Sequence, residues 1–233
     1  MKKKNTLLLF SLFLLSYFSF AQGTCSKYYP IVEGTTFQYT NYDKKGKADG
    51  TADYKVAHVE NTGGNTKATM DIKYTDKKGK EIMGSNYSFT CAGDGIKIDY
   101  ASLMPSQMVD QYKAMNMEMD ISGTDIEIPN NLNVGEELDD AHVSIKVSMV
   151  GMKMETLVNM INRKVEKKES VTTPAGTFDC YVIYSDNETV IMKKSNVFPS
   201  RVWLAEGVGM VKQESYKKDG ELMSSSLLTK FNQ

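Results

Sequence analysis

From residue 36 onward the chain alternates apolar and polar positions with a period of two, over and over. Runs at 36–41, 52–59, 66–74, 82–91 and 96–100 carry the pattern, as in Tyr54, Val56 and His58 set against Lys55, Ala57 and Val59. This is the period of strands, and the short spacings between the runs predict an antiparallel meander. The tips carry their own signal. Tyr42-Asp43-Lys44-Lys45-Gly46-Lys47, Tyr74-Thr75-Asp76-Lys77-Lys78-Gly79-Lys80 and Tyr216-Lys217-Lys218-Asp219-Gly220-Glu221 each set a charged tip and a glycine between two strand-like runs. A type I turn closing through a glycine at positive φ is expected at each, with the lysines solvated. The spacings between the three tips are unequal, so they are not solenoid repeats.

The strongest single stretch is 172–184. Pro174 and Gly176 predict a tight turn. From Phe178 the strand then alternates Phe178, Cys180, Val182 and Tyr184 against Asp179, Tyr181, Ile183 and Ser185. Both sets are largely apolar, which places this strand centrally. The run 202–216, with the lone Trp203, is its natural neighbour.

One segment has helical period. Pro105 can start a helix, and Met104, Met108, Tyr112 and Met115 then share a face. The period returns to two at once, with Met115, Met117, Met119 and Ile121 opposing Asn116, Glu118, Asp120 and Ser122. Ile126 and Ile128 follow, then a surface loop over 129–140, then a strand through Val143, Ile145, Val147 and Met149. Gly151 marks a turn or bulge, and further strands are expected at 154–165, 188–194 and 222–231. The expected fold is therefore mainly β: a single antiparallel curled sheet or half-barrel of about ten to twelve strands with one short helix.

The N-terminus changes the picture of where this domain works. Met1-Lys2-Lys3-Lys4, an apolar run over 7–20 and Ser19-Phe20-Ala21 read as a signal peptide over 1–21, cleaved near Ala21, with a single β domain over 22–233. The apolar run is too short and too often broken by serines for a membrane span, so no transmembrane helix is expected in the mature chain. Export to the periplasm, the outer envelope or the exterior follows. Cleavage removes three lysines and no acid. The remaining chain is mildly acidic and carries no footprint for nucleic acid. In an oxidising compartment three cysteines allow one bridge. Cys180 is in phase with Phe178 and Val182 and reads as a small buried residue, so a Cys25–Cys91 bridge is expected ahead of the other pairings.

Candidate chemistry is sparse. His58 and His142 stand far apart without metal-ligand spacing, and no nucleophile elbow, phosphate loop, dinucleotide fingerprint or Cys-x-x-Cys occurs. Glu136, Glu137, Asp139 and Asp140 match no calcium loop and read as a solvated face. No catalytic residue, metal or cofactor is assigned. The methionines are the suggestive feature: fifteen in all, dense between 104 and 160. Their soft, flexible side chains suit plain core filling or an adaptable apolar site.

Cys25-Ser26-Lys27-Tyr28-Tyr29-Pro30, Thr173-Pro174-Ala175-Gly176-Thr177-Phe178-Asp179-Cys180 and Trp203-Leu204-Ala205-Glu206-Gly207-Val208-Gly209-Met210-Val211-Lys212 together resemble the TapB-like family of exported bacterial domains of unknown function. The resemblance implies an envelope protein with an antiparallel β fold similar to the half-barrels of periplasmic lipoprotein carriers. The expectation is a non-catalytic binding module in which Met108, Tyr112, Met117, Met119, Met149 and Trp203 line a groove for an apolar or acylated ligand. The alternative is a structural module that binds another envelope protein.

Overall fold

The computed structural model describes residues 25–103, 111, 114–115, 117–149 and 152–233. Its strands are β1 (Thr36–Asp43), β2 (Ala48–Thr62), β3 (Asn65–Asp76), β4 (Glu81–Ala92), β5 (Gly95–Asp99), β6 (Glu118–Gly123), β7 (Asp125–Pro129), β8 (Ala141–Met149), β9 (Met152–Thr173), β10 (Gly176–Ile191), β11 (Lys194–Ala205), β12 (Gly209–Tyr216) and β13 (Leu222–Asn232). All thirteen form one antiparallel sheet in the order β6-β8-β9-β10-β11-β12-β13-β1-β2-β3-β4-β5-β7. The curled antiparallel sheet expected from the alternation is what forms.

The two ends of that order, β6 and β7, are neighbours in the chain. Only Thr124 lies between them, so one segment pairs with β8 on one margin and with β5 on the other. The sheet thereby curls into a near-closed barrel with its seam at Thr124. The Thr124 amide donates to the His142 carbonyl at 2.9 Å, and the His142 amide donates to Thr124 Oγ1 at 3.0 Å. Gly123 is required here by space: a Cβ on it would sit 2.2 Å from the His142 carbonyl oxygen.

Arg163 of β9 pegs the seam from within. Nearly all of its surface is buried, Nη2 donates to the Glu127 carbonyl of β7 at 2.9 Å, and Nη1 donates to the Asp139 carbonyl. Burial pushes the guanidinium pKa down while Asp140 and Asp139 push it back up. The acidic segment read as a surface loop does more than cross the surface. The Gly135 amide donates to the Val165 carbonyl, the Leu138 amide to the Arg163 carbonyl and the Val165 amide to the Glu136 carbonyl, and Leu132 and Leu138 are buried.

The three lysine-rich tips form as expected. Asp43 Oδ1 accepts from the Lys45 and Lys47 amides, Asp76 does the same for Lys78 and Lys80, and Gly46, Gly79 and Gly220 sit at positive φ. The turn at 174–175 joins Thr173 to Gly176, and β10 is buried on both faces: Ile183 and Ser185 on one, Cys180 and Val182 on the other. Burial pushes the free Cys180 thiol up to about 11, so it stays protonated. Cys25 and Cys91 are bridged with their Cα atoms 5.8 Å apart, which ties the N-terminal arm to β4. On that arm Tyr28 meets Tyr181 edge to face and Tyr29 packs on Phe89.

Strand boundaries differ from expectation in several places: the 202–216 run is split between β11 and β12 by a turn at 206–208, and the 154–165 strand extends over Met152–Thr173. Residues 188–194 are not a separate strand, because β10 runs on to Ile191 and turns through Met192 and Lys193 into β11. Both turn residues have positive φ, the type I′ geometry normally signalled by Asn-Gly, so the sequence carries no sign of it. The helix expected from Pro105 to Met115 falls mostly outside the described residues. Gln111 and Ala114 are helical, and the Met115 amide donates to the Gln111 carbonyl at 3.2 Å.

Candidate functional site

Beyond the seam the sheet continues as a ledge. The last rung joining β11 to β12 is Ser200 with Ser215, yet β10 and β11 go on as a hairpin to Ile191–Lys194, flanked by the first half of β9, by β8 and by β6. Six further residue pairs at about 3.3 Å each carry the hairpin roughly 20 Å past that rung.

Cross-strand partners share a face, and the register sorts the ledge into two. Met119, Val147 and Met154 form one row, Ile121, Ile145, Thr156 and Ile191 the next, then Gly123, Val143, Val158 and Thr189. The opposite face runs Glu118, Ser148, Lys153, then Asp120, Lys146, Glu155. One side is apolar and the other charged. Val143 and Val147 are buried, while Met117, Met119, Met154, Thr156 and Val158 are half-buried. A cavity of about 620 Å³ opens at this margin, lined by Met119, Val147 and Met154 together with Asp120, Lys146 and Lys153. That volume is within the range of small-ligand sites, and six of the nine lining residues, Glu118, Asp120, Lys146, Ser148, Lys153 and Glu155, belong to the charged face, with the methionine row on the other side.

The expected site residues separate. Met119 lines this cavity and Met117 precedes it. Met108, Tyr112 and the side chain of Met149 lie outside the described residues. Trp203 sits elsewhere, on β11 opposite Val182. Its Nε1 donates to Glu169 at 2.6 Å, and Lys212 Nζ lies 4.3 Å from its ring centroid, so it is a closed structural contact. Hydrogen bonds from Lys167 and then from Trp203 hold the Glu169 carboxyl below its ordinary range. Met154, which is not among the expected residues, lines the same cavity. Its parity alone was visible in the sequence; its pairing with Val147 required the register across the β8–β9 turn.

A second cavity, of about 550 Å³, lies over the Arg163 peg and is walled by Glu137, Asp139, Asp140, Asn162, Lys164 and Tyr184. Its shape follows from two shifts in the β9–β10 register, near Val182 and Tyr184, and from Asn162 at positive φ. The carboxyls whose pKa moves, those of Asp43, Glu169, Glu188 and Glu221, all lie elsewhere and all move down. Each is held as a carboxylate rather than as a general acid. His58 is exposed between Glu33 and Glu60. Among the described residues no group of three or more His, Cys, Asp or Glu is placed to hold a metal ion, and no helix is long and apolar enough to cross a membrane.

The DUF3108-like family model matches residues 32–228. No curated protein matches the chain. Among solved structures, a candidate exported protein with a YmcC-like fold from Bacteroides fragilis superposes with a TM-score of 0.68 at 21% identity, covering 90% of this chain and 100% of that one. A candidate lipoprotein from Parabacteroides distasonis superposes with a TM-score of 0.69 at 25% identity, covering 89% of this chain and 99% of that one. The fold is shared over about nine-tenths of this chain.

Proposed function

The chain belongs to the DUF3108-like family, and from that premise we propose that it is an exported, non-catalytic binding module that takes an apolar or acylated ligand on the ledge. The carrying observation is the Met119–Val147–Met154 row on the apolar face of the ledge, with both methionines only half-buried. Methionine thioethers adapt to chains of varied shape, and the charged face behind them is mixed, with Lys146 and Lys153 among Glu118, Asp120 and Glu155 and Lys146 3.9 Å from Glu155. The basic n-region, apolar run and Ala21 support export with cleavage near Ala21, which N-terminal sequencing of the mature protein tests. The exported and lipoprotein assignments of the two structural relatives and the narrower TapB-like resemblance are consistent with the same compartment.

Native mass spectrometry of protein purified from its own envelope, followed by lipid extraction, tests the ligand. A stoichiometric acyl-chain adduct is expected, lost in Met119→Glu and Met154→Glu variants that keep their circular dichroism. A bare protein mass overturns the reading. One observation favours a second reading, a module that binds another envelope protein. The Lys194–Pro199 half of β11 has no β12 partner and offers a free edge for strand addition, although Pro199 blunts it. A pull-down that recovers one envelope protein, lost on substitution within 194–198, supports this alternative.

A further inference from the structure

The tip of the β10–β11 hairpin is built against the preference of its own turn. Met192 and Lys193 hold positive φ, where side chains other than Gly, Asn and Asp are disfavoured. Positions that break a local rule in this way are where function is sought. Met192 is 74% exposed, Ile191 beside it 41%, and Phe198 on the same hairpin 40%. Lys193 and Lys194 stand exposed next to them. The nearest acid on the hairpin, Glu188, is held back along the strand by Ser195 and Asn159.

We propose that this tip is a membrane-docking element, in which Met192 and Ile191 enter the head-group region of an anionic phospholipid surface while Lys193 and Lys194 pair with its phosphates. The exposed side chains are too few for a stable protein interface, which needs about 800 Å² on each partner. An apolar point beside two lysines matches the two-signal rule for peripheral membrane binding, in which neither signal holds alone. The hairpin reaches roughly 20 Å beyond the last β11–β12 rung, and beside it β8 and β9 run on past the Ile191–Thr156 rung to Met149 and Met152. The inference goes beyond the ligand reading, because it concerns an intact lipid surface and different side chains.

Flotation of the purified protein with phosphatidylcholine vesicles, with and without phosphatidylglycerol, tests it. Binding is expected only with phosphatidylglycerol and is expected to weaken as salt is added. Met192→Glu should lower the bound fraction about tenfold, and a Lys193→Ala/Lys194→Ala variant should abolish the preference for the anionic lipid. Because the tip is exposed, each variant should keep the wild-type thermal midpoint. In a Met192→Trp variant, brominated lipid should quench the new indole and spare Trp203. Absence of binding to anionic vesicles, unchanged binding of Met192→Glu, or capture of a protein through the tip without vesicle binding would overturn the proposal. Ligand-free protein that still floats separates this result from the acyl-ligand reading.

Discussion

The barrel body and the ledge are made from the same alternating pattern, and they differ in what each alternation faces. In the body, Phe89, Val56, Leu228, Leu204 and Val211 close on one another with almost no exposed surface, and Cys25–Cys91 and Arg163 fasten the arm and the seam. In the ledge the apolar rows are half-buried, the outer face is charged, and the tip ends in bare Met192. Period two therefore identifies a strand, but only its neighbours decide between core and site. The body closes its apolar rows, and the ledge leaves parts of its own exposed.

Phe89→Ala should show the contrast at its largest, costing about 3–5 kcal/mol in urea unfolding through lost burial and a cavity. Removing the bridge with Cys25→Ser and Cys91→Ser together, across a sequence separation of 66, should cost about 4 kcal/mol in the same experiment. Arg163→Met tests the seam. It strips the Glu127 and Asp139 carbonyls of their donor and should cost about 1–3 kcal/mol, with faster amide exchange in β7 than in β2. Glu169 gives a pH signature. Its lowered folded pKa contributes stability that is present above the ordinary carboxylate range and is lost as the pH falls through the folded value. Glu169→Gln should lower the midpoint at neutral pH and flatten the acid limb of the midpoint-versus-pH curve, so that the variant and wild-type curves converge at low pH. Smallest of all, Met192→Ser should move stability by no more than about 0.5 kcal/mol, and a larger loss would mean that the tip belongs to the body.

Much of the body was legible in the sequence. The Asp-Lys-Lys-Gly-Lys tips, the Pro174–Gly176 turn and the two-faced burial of β10 are local, and local chemistry announces them. The pairing of Trp203 beside Val182 was also within reach of the strand pattern, whereas the closure of Lys212 and Glu169 over its ring depends on partners far away in the sequence. Two features left no local trace. The Met192–Lys193 turn uses residues that a type I′ turn disfavours. The meeting of β6 and β7 rests on Gly123 fitting against the His142 carbonyl, a contact that exists only once the sheet has curled. The methionines were visible as a cluster, but joining Met154 to Met119 required the β8–β9 register.

Hydrogen exchange followed by mass spectrometry, with and without anionic vesicles, tests the division of labour most directly. Slow exchange is predicted for β1–β4 and β12–β13, at the level of global unfolding, with faster exchange in β6, β8 and the 186–199 hairpin. Vesicles should protect the 191–194 tip alone. Uniform protection across body and ledge, or vesicle-induced protection in β1–β4, would contradict the account.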